Sequence, residues 1–463
     1  MKKSLLLCTH LLILLLFLAC GEETTTEVAP VTPTSEVNNQ VPIITPTGDE
    51  RYLNTKSKYI FDQDKLHTFE LTLPEASLAK IDQDPAAEEY VEGSLTFEGE
   101  TISPVGIRYK GSVGAFVNCL SGGNWANPSG RKICTKLSMK IKINWNGSDR
   151  QFYGLKKLQF HSQNNDKSQM RDRLGYWLFR KMEVPAPRAV HAKLMINGQY
   201  SGLYSLVEQI DGRFTRQNFD DGTGNLYKEV WPLTADGQPQ TEATYLAGLK
   251  TNEDENPSVE IIQTFAEEIA RATEAEVPTV IEKWMNVPEI ISYIAVDRTI
   301  RNDDGAFHWY CNGGDCSSHN FYWYEEPTQK SVHLIPWDLD NAFENIITDA
   351  NPVTPIADEW GAISANCEPF RNGFLGLRQR SAACDKLTKG WTTYETLLAE
   401  KLQELSEGPM SREKMDEKLT EWAEQIRAAT ELAADQHSDA VSVDSWESAM
   451  QLLRTQLDVA RLE

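Results

Sequence analysis

Three short motifs within about forty residues of this chain carry four carboxylates and two asparagine side chains. Asn302-Asp303-Asp304-Gly305 comes first, then His319-Asn320-Phe321-Tyr322, then Ile335-Pro336-Trp337-Asp338-Leu339-Asp340. Carboxylates beside short aromatic, apolar segments are costly unless they bind a cation or one another. Their order suits phosphoryl transfer. One carboxylate accepts the proton of the attacking hydroxyl, and an Asn and an Asp further along hold Mg2+ on the phosphates. Mg2+ takes one or two carboxylates and fills its shell with waters and phosphate oxygens. A structural calcium site or an Asp-rich surface loop is the plainer alternative for the same residues.

Two weaker clusters lie upstream. Ile107-Arg108-Tyr109-Lys110-Gly111-Ser112-Val113-Gly114 is a strand running into a Gly/Ser turn. Free N–H groups in such a turn can cradle phosphate, although an ordinary hairpin loop has the same composition. Lys136, Lys140 and Lys142 share one face of an alternating segment, which by default is a solvated strand face.

The elements that must position these groups read as two lobes. HTFELTL, SLTFEG and PVGIRYKG alternate like strands, and in KLSMKIKIN the residues Leu137, Met139, Ile141 and Ile143 face one way. QFYGLKKLQFH adds a further short strand. Between Asp166 and Met182 the period becomes helical through Met170, Leu174, Trp177 and Leu178, with Ser168 placed to cap the start and Pro185 and Pro187 to stop it. Asn197-Gly198, flanked by apolar runs, predicts a hairpin over 189–208. Residues 59–230 therefore form a strand-rich lobe with one inserted helix. Residues 258–274 and 277–300 read as helices, and HNFYWY and VHLIPW as short strands. The expected architecture is α+β: a strand-rich N-lobe, a mostly helical C-lobe over about 255–390, and an acidic helical extension over 391–463. A cleft between two such lobes is a common place for a site.

The chain has 463 residues, 40% hydrophobic and 24% charged, long enough for one large domain or two ordinary ones. Asp and Glu total 68 against 45 Lys and Arg, a net charge of −23. Such a chain should repel nucleic-acid backbones, so no nucleic-acid partner is expected. At the N-terminus, Lys2 and Lys3 precede the apolar run Leu5 to Leu18, a secretory signal too short to span a bilayer. Phe17-Leu18-Ala19-Cys20-Gly21 resembles a lipobox, which implies a lipidated Cys20 and an exported protein on the outer membrane or cell surface. An ordinary signal peptide with a chance Cys is the alternative. Residues 21–50 are rich in Thr, Pro and Glu and read as a disordered tether. Of eight cysteines, Cys8 goes with the signal and Cys20 with the anchor. The remaining six imply disulfides in an exported chain. Sequence neighbours are the expected pairs: Cys119–Cys134, Cys311–Cys316 and Cys367–Cys384.

From about residue 65 to 345 the chain resembles the spore-coat protein H (CotH) kinase family. The matching text is GLKKLQFHSQNNDKSQMRDRLGYWLFRKMEVPAPRAVHAKLMINGQYSGLYSLVEQIDGRF, then GNLYK, NDD, HNFYWY and IPWDLDNAF. The resemblance implies an atypical protein-kinase-like fold over 51–390 that uses ATP with Mg2+, or Mn2+ in its place, to phosphorylate Ser or Thr of a protein substrate. It implies Asp304 as catalytic base, Asn320 as a second metal ligand, and Asp338 as principal metal ligand with Asp340 sharing the role. Lys140 would pair with the phosphates, with Lys136 and Lys142 as rivals. Arg171 would reach phosphate or brace Glu208, which stands where the connection between lobes begins. Lys228 matches a family lysine, and Gly111 belongs to the turn that would cradle phosphate. That turn departs from the family's usual Arg-Gly-Asn-Ser-Ser, and the two N-terminal disulfide loops look like insertions beside the site.

Two other functions fit the same residues. One is a surface binding or adhesion module on a kinase-like scaffold, since fold alone does not set function. The other is nucleotidyl transfer with the same metal geometry.

Overall fold

The computed structural model describes residues 57–462 except 113, 125–126, 254, 256, 313–314, 352–354, 364 and 373–375. The signal segment, Cys20 and the tether lie outside the described residues.

The N-lobe is a closed barrel. Strands β1 (His67–Thr72), β2 (Val91–Phe97), β3 (Glu100–Tyr109), β4 (Met139–Lys142), β5 (Lys157–His161), β6 (Ala189–Ile196) and β7 (Gln199–Val207) run in the order β1-β2-β3-β4-β5-β7-β6. A parallel β1–β6 pairing, Phe69 opposite Leu194, shuts it. Alternation along each strand sends Phe69, Leu95, Ile107, Met139, Ile141, Leu158, Phe160 and Leu206 into a shared interior. Each such side chain contributes about 1.5–3 kcal/mol on burial. The partners of these residues on the outer face are polar: Arg108, Lys140 and Gln159 lie side by side across β3, β4 and β5. The hairpin between β6 and β7 turns on Asn197 and Gly198, both at positive φ, as a two-residue turn demands. Helix α1 (Glu75–Gln83) lies between β1 and β2.

Helix α2 (Arg171–Lys181) is inserted between β5 and β6. Its first helical amide is held by Asp166, and the expected Ser168 contributes one step earlier, its Oγ accepting from the Met170 amide at 3.2 Å. Asp166 Oδ2 accepts from the Arg171 amide at 2.9 Å, while Ser168 is itself bonded to Asp166 Oδ1. A carboxylate suits the positive end of a helix better than a hydroxyl.

The C-lobe begins with α3 (Gly212–Asn218), β8 (Leu226–Lys228), α4 (Glu242–Gly248) and α5 (Glu260–Arg271). The helix expected over 277–300 is two, α6 (Val277–Trp284) and α7 (Val287–Thr299). Asn286 accepts from the Glu289 amide and starts the second. Pro288 sits in its first turn, where its missing N–H costs nothing. Strands β9 (Trp309–Asn312), β10 (Asp315–Ser317), β11 (Phe321–Glu326), β12 (Ser331–Pro336), β13 (Phe370–Asn372) and β14 (Leu377–Arg380) follow. They make one sheet in the order β12-β11-β8 and another in the order β10-β9-β14-β13. Cys119–Cys134, Cys311–Cys316 and Cys367–Cys384 are bridged.

Helices α8 (Lys386–Trp391), α9 (Glu395–Glu407), α10 (Arg412–Gln436) and α11 (Val443–Ala460) complete the lobe. They are more than a solvated tail. Trp422 and Trp446 are buried in the same core as Leu174 and Leu178 of α2. The Arg173 guanidinium stacks on Trp422 at 4.3 Å, Tyr200 Oη donates to Ala429 O at 3.0 Å, and Trp446 Nε1 donates to Ser168 O at 3.1 Å. The C-terminal helices thus clasp both the barrel and α2.

Candidate functional site

The β11–β12 hairpin brings two distant motifs to one place. Phe321 faces Pro336, so Asn320 and Trp337 flank the open end, and the Trp337 amide donates to Asn320 O at 3.0 Å. Asp338 follows directly at positive φ, with its amide donating to Tyr176 Oη of α2 at 2.9 Å. The loop after α7 supplies Asp304. It is tied to the same hairpin end by the Phe343 amide, which donates to Ile300 O at 2.7 Å.

The carboxylates are close enough to disturb one another. Asp304 is pushed up to about 6, chiefly by burial and further by Asp338, against hydrogen bonds that favour its anion. Burial, Asp338, Asp172 and Asp304 drive Asp340 well above the usual carboxylate range. Asn320 Nδ2 donates to Asp304 Oδ2 at 3.0 Å and Asn341 Nδ2 to the same oxygen at 3.2 Å. Tyr310 Oη donates to Asp304 Oδ1 at 2.8 Å. Asp304, Asn320, Asp338 and Asp340 therefore lie together. Arg171 lies beside them, with Nη1 donating to Asp340 O at 2.9 Å and pairing with Glu344 Oε1 at 2.6 Å.

The barrel's outer face stands opposite. The Lys110 ammonium, just past β3, donates to His161 Nε2 at 2.7 Å, and His161 Nδ1 lies 3.0 Å from Asp172 Oδ2. These partners fix the tautomer: Nδ1 carries the proton and Nε2 accepts. Lys110 also sits 5.3 Å over the Trp337 ring and within the field of Asp338; burial still pulls its pKa below the ordinary value. Lys140 is pushed down to about 7 by burial and then by Lys157, Lys110 and Arg108. Gln159, next to Lys140, is 2% exposed, and its Nε2 has no hydrogen-bond partner among the described residues. A crowd of desolvated cations with an orphaned donor is a costly arrangement unless an anion completes it.

The other expected site residues have other neighbours. Lys228 in β8 pairs with Glu229 at 3.3 Å. Glu208 is 2% exposed and binds Arg188, whose Nε donates to Oε2 at 2.9 Å, so Arg171 does not brace it. Glu208 borders a cavity of about 250 Å³ at the connection between lobes, lined also by Lys157, Asp211, Arg213 and Lys250. The Gly111 amide is taken by Glu88 Oε1 at 2.8 Å, and Glu88 also pairs with Arg108. A carboxylate thus stands in the turn that was expected to cradle phosphate. Tyr310, Asn341, Gln159 and the linking of Lys110 through His161 to Asp172 went unnoticed in the sequence; of these Asn341, adjoining Asp340, and Lys110, within the quoted turn motif, carried a visible signal.

The donors offered by Asp338, Asp340 and Asn320 are hard oxygens, and the repulsion between the two carboxylates favours a cation. Among the described residues no three His, Cys, Asp or Glu form a metal-holding group. The donor set fits Mg2+ held by one or two carboxylates with phosphate.

A barrel-based lobe and a helical lobe with carboxylates at their junction define an α+β, two-lobed, kinase-like protein. The model of the CotH kinase protein family matches residues 107–458, more than half of the chain, and the chain belongs to that family. The match runs through α9, α10 and most of α11. The chain is also similar to the inner spore coat protein H of Bacillus subtilis (strain 168), 21% identical over 195 residues, 41% of this chain and 50% of that protein. It spans about half the length of that curated relative.

Proposed function

We propose that this protein transfers the terminal phosphate of ATP, with Mg2+, to serine or threonine hydroxyls of a protein substrate. The observation that carries this reading is the facing of two unlike surfaces: Arg108, Lys110, Lys140 and Lys157 on the barrel, and Asp304, Asp338 and Asp340 below. A triphosphate with its cation satisfies both at once.

Asp338 and Asp340 would hold the metal with Asn320, and the ion would neutralise charge on the phosphates. The chain's own residues do the rest. Lys110, oriented by His161 and Asp172, binds phosphate oxygen. The cavity beside Glu208 takes the nucleoside end. Asp304 accepts the acceptor hydroxyl's proton as the new O–P bond forms and the bond to the departing ADP oxygen breaks. Cys20, if lipidated, would tether the enzyme to the outer membrane or cell surface.

The test is incubation of the purified chain with ATP labelled at the γ or α position and Mg2+ or Mn2+. Transfer of γ-label, abolished in Asp304→Ala, is the expected result. Transfer of α-label would establish nucleotidyl transfer instead. Absence of both, with no thermal shift at millimolar ATP, would leave a binding module, because a ligand of the native state must stabilise it. Palmitate labelling lost in Cys20→Ala tests the anchor.

A further inference from the structure

Asp304 Oδ2 is held by two amides, and among the described residues Oδ1 takes its side-chain donor from Tyr310, at 2.8 Å. A carboxylate engaged on one oxygen swings about its last bond; a donor on the second oxygen fixes the plane. The position of Tyr310 is thus the position of Asp304.

Tyr310 is mounted with unusual care. Its ring stacks on His308 at 4.0 Å between centroids and on His319 at 5.4 Å. It lies in β9, and the next residue, Cys311, faces Cys316 across the β9–β10 pair and is bridged to it. On the other side Tyr310 pairs with Gln379 of β14. The far edge of this sheet is closed by Cys367–Cys384, which flanks β13 and β14. Strands of three and four residues are too short to stand by themselves in water. The covalent bridge supplies what length does not.

We propose that Tyr310 is a positioning residue for Asp304 and that the Cys311–Cys316 bridge holds it there, so that transfer requires the oxidised pair. This rests on Asp304 being the base. A dithiol reverses the state: two electrons and two protons pass to the sulfurs, giving two thiols and the oxidised dithiol.

The experiment measures kcat and KM for ATP in five samples: wild type with and without dithiothreitol, Tyr310→Phe, and the double variant Cys311→Ser/Cys316→Ser with and without dithiothreitol. Reduction, the tyrosine change and the double variant should each lower kcat by about tenfold or more, the scale of a misplaced general base. KM for ATP should stay within about twofold, because the nucleotide's own contacts are untouched. The double variant should no longer respond to reductant, which separates this bridge from the other two. A double variant with wild-type kcat, or a Tyr310→Phe that raises KM and leaves kcat alone, overturns the proposal. If wild type transfers nothing, it is the reading of Asp304 that fails. The crystal structure of the double variant then decides the mount: Tyr310 Oη withdrawn from Asp304 supports it, and the 2.8 Å contact retained refutes it.

Discussion

One amide ties the two motifs of the site together: Asn341 Nδ2 lies 3.2 Å from Asp304 Oδ2 and 3.4 Å from Asp340 Oδ1. Its oxygen in turn accepts from Asn351 Nδ2 at 2.9 Å. The side chain that spaces the proposed base from the proposed metal ligand is therefore itself held from behind. Asn341→Ala should lower kcat by about tenfold to a hundredfold while costing about 1–3 kcal/mol of stability, since a hydrogen bond to a charged group is lost. Transfer rates and urea titrations on one preparation check both.

The Lys110–His161–Asp172 relay predicts a different signature. Lys110→Met removes a phosphate contact and should raise KM for ATP by about tenfold or more. His161→Asn should have a smaller effect in the same direction, because it releases the ammonium without deleting it. If Lys140→Met raises KM more than Lys110→Met does, the lysine first expected from the sequence is the principal phosphate ligand.

Lys140 also predicts a pH effect. Its pKa is lowered to about 7 in the folded chain, against about 10.4 when unfolded. Between these values the unfolded chain holds the proton and the folded chain does not, so the penalty of burying this charge is full below about 7 and is relieved as pH rises across that window, which raises stability. An anion placed beside it restores the charge. Binding of MgATP at pH 8 should therefore take up protons, read by calorimetry in buffers of different ionisation enthalpy. Uptake should vanish in Lys140→Met.

Glu88 occupies the Gly111 amide and pairs with Arg108. If nucleotide phosphates use that turn, they displace this carboxylate. Glu88→Gln should then lower KM for ATP by about threefold to tenfold, the scale of one modest charge contact. An unchanged KM would assign the turn to structure alone.

The clasp of the C-terminal helices is a stability prediction. Trp446 is 1% exposed and bonds Ser168 O. Trp446→Ala should cost about 3–5 kcal/mol. Chemical denaturation should show the barrel and the helical lobe losing structure together.

Much of the local structure was legible. Alternation in KLSMKIKIN marked β4, and Asn197-Gly198 marked its hairpin, because both signals are confined to a few residues. The three bridged cysteine pairs are sequence neighbours, as expected. Asp304, Asn320, Asp338 and Asp340 could be grouped because their types and order have chemical sense. What escaped notice depends on distant partners. The barrel closes through the β1–β6 pairing, which no local pattern encodes. Lys110, His161 and Asp172 come from the ends of two strands and the first turn of a helix, so register alone brings them together. Tyr310 directly precedes a disulfide loop that looked like an insertion, and nothing local ties it to Asp304. The break at Asn286 was a local signal overlooked, a cap followed by proline inside an apolar period.

The most direct test is calorimetric titration of the purified chain with ATP, in the presence of Mg2+ and in its absence, repeated on Asp338→Asn. Saturable binding with Mg2+, weakened at least about tenfold without the ion or without the carboxylate, is the predicted result. Equal affinity in all three conditions, or no binding at millimolar nucleotide, would contradict the placing of a metal-bound triphosphate between Lys110 and Asp338.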